Sequence, residues 1–575
     1  MNLSRFRLTN PRFVFSVACA PGLFGLMSWT APPAAQAEEP AAPAAKRAAA
    51  NMTTPLAVSW KYTSASSPSA SGPPIISGDT LYLASAARIF AIDARTGAMK
   101  WAYPSSENLK TTITGSMALG GGAIYFSSAD GLYAVDATDG KLKWPRYSVK
   151  AGVTTSPLVV GDRVYFAGGD GKIYALQTAT GDPADGVWST AKSAGISSGG
   201  DLIGDMVDFN DTVYYVTSDN VIHSVSLATG QQRWGTRLSA NLTSATPVIA
   251  GEFLYIPAGD AIQAYRISNG QFRWQARLGD TASAPPAVDT DGAVYVIRDD
   301  RYILAITDNG RTYPWKKAPR IDNETDIPPV IVGDTLLVGT ARGGLYAYNK
   351  ADGSLKWRFV MKPSATFGAA LPATANVAAT PLVDGNTLYV FTDDGTLTSF
   401  RSDAPDKLPP TVVPLTPEIG DDLNGSPPFY IAALITDEGS GLDMSSMTVK
   451  VDDKAVARVP LDLVGTKPGY TFNEDNGFLQ YMIDESGNGR SATFVDGPHT
   501  ITISVKDYMG NLATKSWTFH VNEDSPKHSH PYTGAANAPS AAAPGGRGGR
   551  GGRGGFGGGR GGGGRGGGRG GFGGG

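Results

Sequence analysis

Cysteine is almost missing from this 575-residue chain: Cys19 is the only one. It lies in an apolar stretch near the N-terminus, so the rest of the chain has no thiol for a disulfide, a zinc finger or a c-type haem. Histidine is nearly as scarce, with five in all, and only His223 precedes residue 404. A lone histidine in a strand has no partner fixed by spacing, so it reads as a packed or surface residue rather than a base. His528-Ser529-His530 falls in a stretch read as solvated linker. No serine nucleophile elbow, phosphate-cradling loop or zinc motif is present. These absences leave no candidate catalytic, cofactor-binding or metal-binding residue.

Positive charge is scarce in the body of the chain. The formal net charge is −3, but Arg5, Arg7 and Arg12 contribute +3 near the start, and six arginines between Gly545 and Gly575 contribute +6, which leaves −12 for Glu38–Pro544. An acidic body with a basic tail is not the footprint of a nucleic-acid-binding domain. The three early arginines precede an apolar run from Phe13 to Trp29 and then Ala35-Gln36-Ala37. That order reads as a secretory signal cleaved after Ala37, and the run is short for a membrane span and carries Pro21 and Gly22. Ser16, three residues before Cys19, does not fit a lipoprotein box.

What the chain has in abundance is repetition. Trp60, Trp101, Trp144, Trp188, Trp234, Trp274, Trp315 and Trp357 are spaced 41, 43, 44, 46, 40, 41 and 42 residues apart. A fixed period of this length marks a repeat architecture. Most units begin with a strand entered through proline, at Pro74, Pro157, Pro247, Pro329 and Pro381 with Pro286 displaced by one, where the missing N–H suits a strand's first residue. A Gly-Asp turn and a second strand follow, reaching Tyr82, Tyr125, Tyr165, Tyr214, Tyr255, Tyr295, Leu337 and Tyr389 in successive copies. Another turn, such as Asp170-Gly171, leads to a third strand. A glycine then stands four residues before the tryptophan at Gly97, Gly140, Gly230, Gly270 and Gly353, where a turn needs positive φ. Four short strands at this spacing make one propeller blade, and the tryptophans read as packing between blades. Trp60 has no hairpins before it, and no tryptophan follows the unit of Tyr389. The N-terminal strand is therefore expected to complete the last sheet, giving eight blades and no exposed ring edge.

Units such as Tyr133-Ala134-Val135-Asp136-Ala137-Thr138-Asp139-Gly140-Lys141-Leu142-Lys143-Trp144 resemble the PQQ-type repeat of bacterial quinoprotein-like propellers. The resemblance spans about 56 to 404. Within that superfamily one branch comprises quinoprotein alcohol dehydrogenases, and another comprises non-enzymatic propellers similar to BamB. The dehydrogenase branch implies an adjacent-cysteine disulfide over the quinone, a calcium-type ion held by Glu, Asn and Asp, and a catalytic Asp, none of which can be placed here. The repeat region has only three glutamates, Glu107, Glu252 and Glu324, and Glu252 takes the hairpin position that Asp162 fills elsewhere.

The proline cluster of Pro409–Pro417 ends the repeat. Strands expected at Tyr430–Thr436, Thr448–Val451, His499–Lys506 and Lys515–Val521 resemble bacterial Ig-like surface domains, as do the turns at Asp437–Asp443 and Asp507–Asn511. These acidic turns are read as solvent-facing, with calcium binding as the alternative. The expected fold class is all-β: an eight-bladed propeller, a small Ig-like β-sandwich and a disordered Gly/Arg-rich tail. The expected organisation is signal peptide 1–37, Ala/Pro-rich linker 38–55, propeller 56–404, linker 405–412, sandwich 413–522 and tail 523–575. The expected function is a non-catalytic, exported scaffold, in the periplasm or at the cell surface, that binds a protein or glycan partner. No cofactor is expected; PQQ and calcium belong to the alternative, a quinoprotein oxidoreductase with a divergent site. The basic tail suits weak contact with anionic envelope polymers.

Overall fold

The computed structural model describes residues 52–526 except 65–70, 150, 191–192, 240–241, 243–244, 300, 308, 363–373, 462–467 and 484–493. The expected signal, most of the 38–55 linker, His528-Ser529-His530 and nearly all of the tail lie outside these residues. The described part is all-β: strands and two short 3-10 turns, with no α-helix.

Between residues 57 and 401 the described strands form six four-stranded and two three-stranded antiparallel sheets, besides one two-stranded hairpin. The chain runs through most of them as a meander, for example Val248–Ala250, Phe253–Ala258, Ala261–Arg266 and Phe272–Arg277. Successive sheets pack face to face as the blades of a β-propeller, sharing clusters such as Tyr165, Trp188, Val213 and Tyr215. The two three-stranded sheets belong to the Trp144 and Trp315 repeats, where isolated bridges such as Leu132↔Tyr147 and Tyr302↔Arg320 stand for the fourth strand. In the closing sheet, Ala57–Thr63 pairs antiparallel with Thr396–Arg401, so the chain start supplies the outer strand of the last repeat.

The tryptophans join neighbouring sheets in one recurring way. In five repeats the pairing register slips at the residue before the tryptophan: Ser59, Lys100, Arg233, Arg273 and Lys356 are each skipped. Such a bulge re-aims the following side chain. In every repeat but that of Trp357 the indole then rests against a tyrosine of its own sheet, as in Tyr82–Trp101 at 5.8 Å and Tyr214–Trp234 at 5.8 Å between ring centroids. Trp60 pairs in the same way with Tyr389 of the closing sheet, at 5.9 Å. In most repeats the indole N–H donates to a backbone carbonyl of the next sheet, as from Trp101 to Ala137 at 3.2 Å, Trp188 to Leu227 at 2.9 Å and Trp234 to Ile267 at 2.9 Å; that of Trp274 is buried without a hydrogen-bond partner.

That contact explains the glycines more fully than turn geometry does. A Cβ added at Gly140 would lie 2.5 Å from the Trp101 ring, at Gly181 2.5 Å from Trp144, and at Gly270 2.3 Å from Trp234. Each glycine therefore serves the tryptophan of the preceding repeat as well as its own turn.

Residues 411–521 form two further sheets. One orders Thr411–Thr416, Phe429–Thr436, Phe478–Ile483 and Tyr470–Asn473; the other orders Asp422–Leu423, Leu512–Val521, Gly497–Asp507, Leu442–Val451 and Lys454–Val456. Alternate residues of both, among them Phe429, Ile431, Phe472, Ile501, Trp517 and Phe519, share one core. Period-two burial of this kind is what sequence alternation dictates for a half-buried strand.

The acidic turns of this second unit are not solvent-facing as expected. Asp507 is 1% exposed and Ser440 0%. The 437–441 turn lies against the propeller: Gly439 O accepts from Val58 N at 2.9 Å, and Ser440 O from the Trp357 indole at 2.8 Å. The physical reason lies in the ring closure. The outer strand of the closing sheet comes from the chain start, so no Gly turn precedes it, and Trp357 has no acceptor of the usual kind. The second unit supplies one.

Candidate binding cleft at the propeller junction

In a four-stranded meander, the turn between the second and third strands and the link to the next sheet emerge at the same end. At the Trp315 and Trp357 repeats these segments meet the second unit and enclose a cleft of about 1030 Å³. The propeller wall carries Arg301, Arg320, Asp322, Glu324 and Arg342; the facing wall carries Arg458, Leu461, Phe472, Glu474 and Asp475. A second cavity of about 520 Å³ adjoins it across Glu324 and Ala341.

Arg358, on the strand Leu355–Val360, is only 6% exposed and anchors the cleft. Its guanidinium reaches Asp322 and Asp475, each at 3.0 Å, and also Glu474, and it lies over the Tyr346 ring at 5.2 Å. Asp475 further accepts from Asn323 Nδ2 at 3.0 Å, and its backbone carbonyl from Lys362 Nζ at 3.0 Å. Burial, opposed by the charge of Asp475, pushes the Lys362 ammonium down to about 8. Glu474 also pairs with Arg458 at 2.7 Å. A desolvated arginine fork shared among three carboxylates from both units fixes orientation, because any relative shift strands a buried charge.

The arginines of the propeller wall are differently placed. Among the described residues no carboxylate pairs with Arg301, Arg320 or Arg342. Arg301 Nη1 donates to the Asp322 carbonyl at 2.7 Å, and Arg320 lies over the Tyr302 ring at 5.9 Å.

The residues weighed from sequence are scattered. His223 stacks on Tyr215 at 5.0 Å and contacts the Thr217 hydroxyl at 2.9 Å; burial holds it below the usual histidine range, as suits a neutral packed side chain. Glu107 is exposed. Glu252 is exposed in its hairpin turn, 3.9 Å from Arg266. Only Glu324 lines the cleft.

The structure does bring Asp437 and Asp507, from the two acidic turns, together with Asp406: one oxygen of each lies within 4.8 Å of the others. Their oxygens are largely spoken for. Asp437 Oδ2 accepts from the N–H groups of Gly439, Ser440 and Gly441, and both Asp507 oxygens accept from Asn511. Asp406 Oδ2, by contrast, is buried without a hydrogen-bond partner; three carboxylates alone still fall short of the roughly six to eight oxygens that a hard cation takes. Burial, aided by the neighbouring carboxylates, pushes Asp437 up to about 6.

Sequence reasoning missed Arg301, Arg342 and Arg358. A signal existed for Arg301: aligned on the turn, Asp300-Arg301 stands where other repeats have Asp170-Gly171 and Asp394-Gly395.

A family model described as outer membrane protein assembly factor BamB matches residues 50–256 and 218–408, together more than half of the chain. Among solved structures, BamB from Moraxella catarrhalis is 18% identical, covering 60% of this chain and 99% of its own, with a TM-score of 0.47. A quinohemoprotein alcohol dehydrogenase from Comamonas testosteroni is 16% identical, covering 64% and 79%, also at 0.47. A europium-containing methanol dehydrogenase is 15% identical, covering 60% and 93%, at 0.45. No curated protein matches the chain.

Proposed function

Because the chain belongs to the family described as outer membrane protein assembly factor BamB, we propose that it is an exported, non-catalytic scaffold that binds a protein partner in the cell envelope. The observation that carries this reading is the junction cleft: a large recess bearing charged side chains, whose walls come from two units held in register by one buried arginine, with no constellation among its described lining residues suited to nucleophilic or acid–base work. In this reading residues 1–37 direct export and 56–404 form an eight-bladed ring closed by the N-terminal strand. Residues 413–522 are an Ig-like sandwich, and the Gly/Arg-rich tail is a flexible basic extension. No helix among the described residues is long and apolar enough to cross a membrane.

Capture from an envelope fraction by the full chain, with and without the tail, tests the proposal; a single saturable protein partner is the expected result. The quinoprotein alternative is tested separately by incubation with PQQ and calcium followed by dye reduction with alcohols or sugars. Robust turnover there would sink the scaffold reading.

A further inference from the structure

We propose that the arginine wall of the junction cleft, formed by Arg301, Arg320 and Arg342, binds an acidic peptide segment of a partner protein; this rests on the scaffold reading and names the chemistry of its partner. Three observations converge on it.

The first is the charge balance inside the cleft. Asp322, Glu474 and Asp475 are engaged by Arg358, and Glu474 by Arg458 as well. The described lining carries four arginines against four carboxylates, and three of those arginines, Arg301, Arg320 and Arg342, pair with no described carboxylate. Guanidinium groups offer planar donor forks matched to carboxylates.

The second is backbone conformation. Arg301 has φ 72° and Arg342 φ 64°, in the left-handed region. In three other repeats the position of Arg301 is filled by Gly171 (φ 71°), Asn220 (φ 63°) and Gly395 (φ 78°). All four residues donate their N–H to the carbonyl three residues earlier. Glycine and asparagine accept this geometry with little strain, whereas arginine does not. Two turns facing one cleft thus keep a long cationic side chain where the local backbone disfavours it, and strain of this kind marks a functional position.

The third is the opposite wall, where Val459, Pro460 and Leu461 line the cleft and Leu461 is 48% exposed. Apolar surface facing arginines fits a segment that alternates acidic and aliphatic side chains. The one aromatic among the described lining residues, Phe472, is 2% exposed and offers no face on which a sugar could stack.

The test is calorimetric titration of the full chain with a short synthetic peptide of alternating Glu and Leu, beside a Lys–Leu counterpart and an oligogalacturonate. Saturable, salt-sensitive binding of the Glu peptide alone is expected. The double variant Arg301→Gly/Arg342→Gly relieves both left-handed arginines, so it should keep or raise the melting temperature while weakening the peptide by about tenfold or more. Arg320→Gln, outside those turns, should weaken it in the same direction. Unchanged affinity in these variants, absence of saturable binding to the wild type, or equal binding of the oligogalacturonate would each overturn the proposal. Saturable peptide binding together with no protein captured from the envelope would instead overturn the scaffold reading and leave the assignment of the cleft intact.

Discussion

At the scale of single residues, glycine and tryptophan work as a pair across neighbouring repeats. Gly270 illustrates the constraint twice: its φ is 68°, and the Trp234 ring occupies the place of a side chain. Gly270→Ala should therefore cost about 2–4 kcal/mol, combining left-handed strain with overpacking. Chemical denaturation would measure it, and a cost below about 1 kcal/mol would mean that the indole can move aside. Gly251, with a similar φ of 56° and nothing near its missing Cβ, is the control that isolates the strain alone.

Asp437 gives a residue-scale prediction about pH. Its carboxyl, pushed up to about 6 by burial, binds a proton more firmly in the folded chain than in the unfolded one, where a carboxylate titrates near ~4. The stability it contributes is therefore full below the unfolded value and is lost as pH rises through about 6. Relative to Asp437→Asn, whose amide oxygen can still accept from the same loop N–H groups, the wild type should gain about 1–3 kcal/mol as pH falls from about 6 to about 4. Denaturation midpoints of the two proteins across that range provide the check; parallel curves would refute the assignment.

At the scale of elements, the 437–441 turn does for the last repeat what a Gly turn does for the others. The Trp357 repeat departs from the pattern in a second way, because Leu337 takes the tyrosine position. Trp357 packs instead on Phe359 and Phe400, at 6.0 and 5.7 Å. Trp357→Phe keeps most of that apolar contact but leaves the Ser440 carbonyl without its indole donor. A loss of about 1–3 kcal/mol is expected, along with faster amide exchange in the 437–441 turn. Exchange unchanged in that turn would show that the Val58–Gly439 bond alone secures it.

At the scale of the whole molecule, Arg358 joins the two units. Removing it leaves Asp475, 17% exposed, without its guanidinium partner, while Glu474 keeps only Arg458. Arg358→Ala should cost about 3–5 kcal/mol and split the thermal transition by uncoupling the second unit from the ring. A single unshifted transition would place the coupling elsewhere. Reversal of Asp475 in the Arg358→Ala background would not rescue it, since the fork geometry would still be missing.

Much of the fold was legible because it rests on local chemistry repeated many times. Proline at strand entry, glycine in left-handed turns and alternating apolar residues each act over a few bonds, and their period exposes the repeat. Closure by the Trp60 strand was legible by counting. The cleft was not, because it depends on residues far apart in the chain: Arg358 and Asp475 are 117 residues apart, and Trp357 and Ser440 are 83. The acidic turns were misread for the same reason. Asp, Gly and Ser at 437–441 look like a solvated turn by composition, and nothing local announces that the propeller needs an acceptor there.

Sequence alone thus determined the repeat, the all-β class, the strand that closes the ring and the acidic body, since each follows from short-range preferences or from counting. Only the tertiary structure decided what the second unit does to the ring, which glycine serves which tryptophan, and which arginines stay uncommitted. Those are outcomes of long-range packing, where one buried charge or donor finds its partner only after the chain has closed.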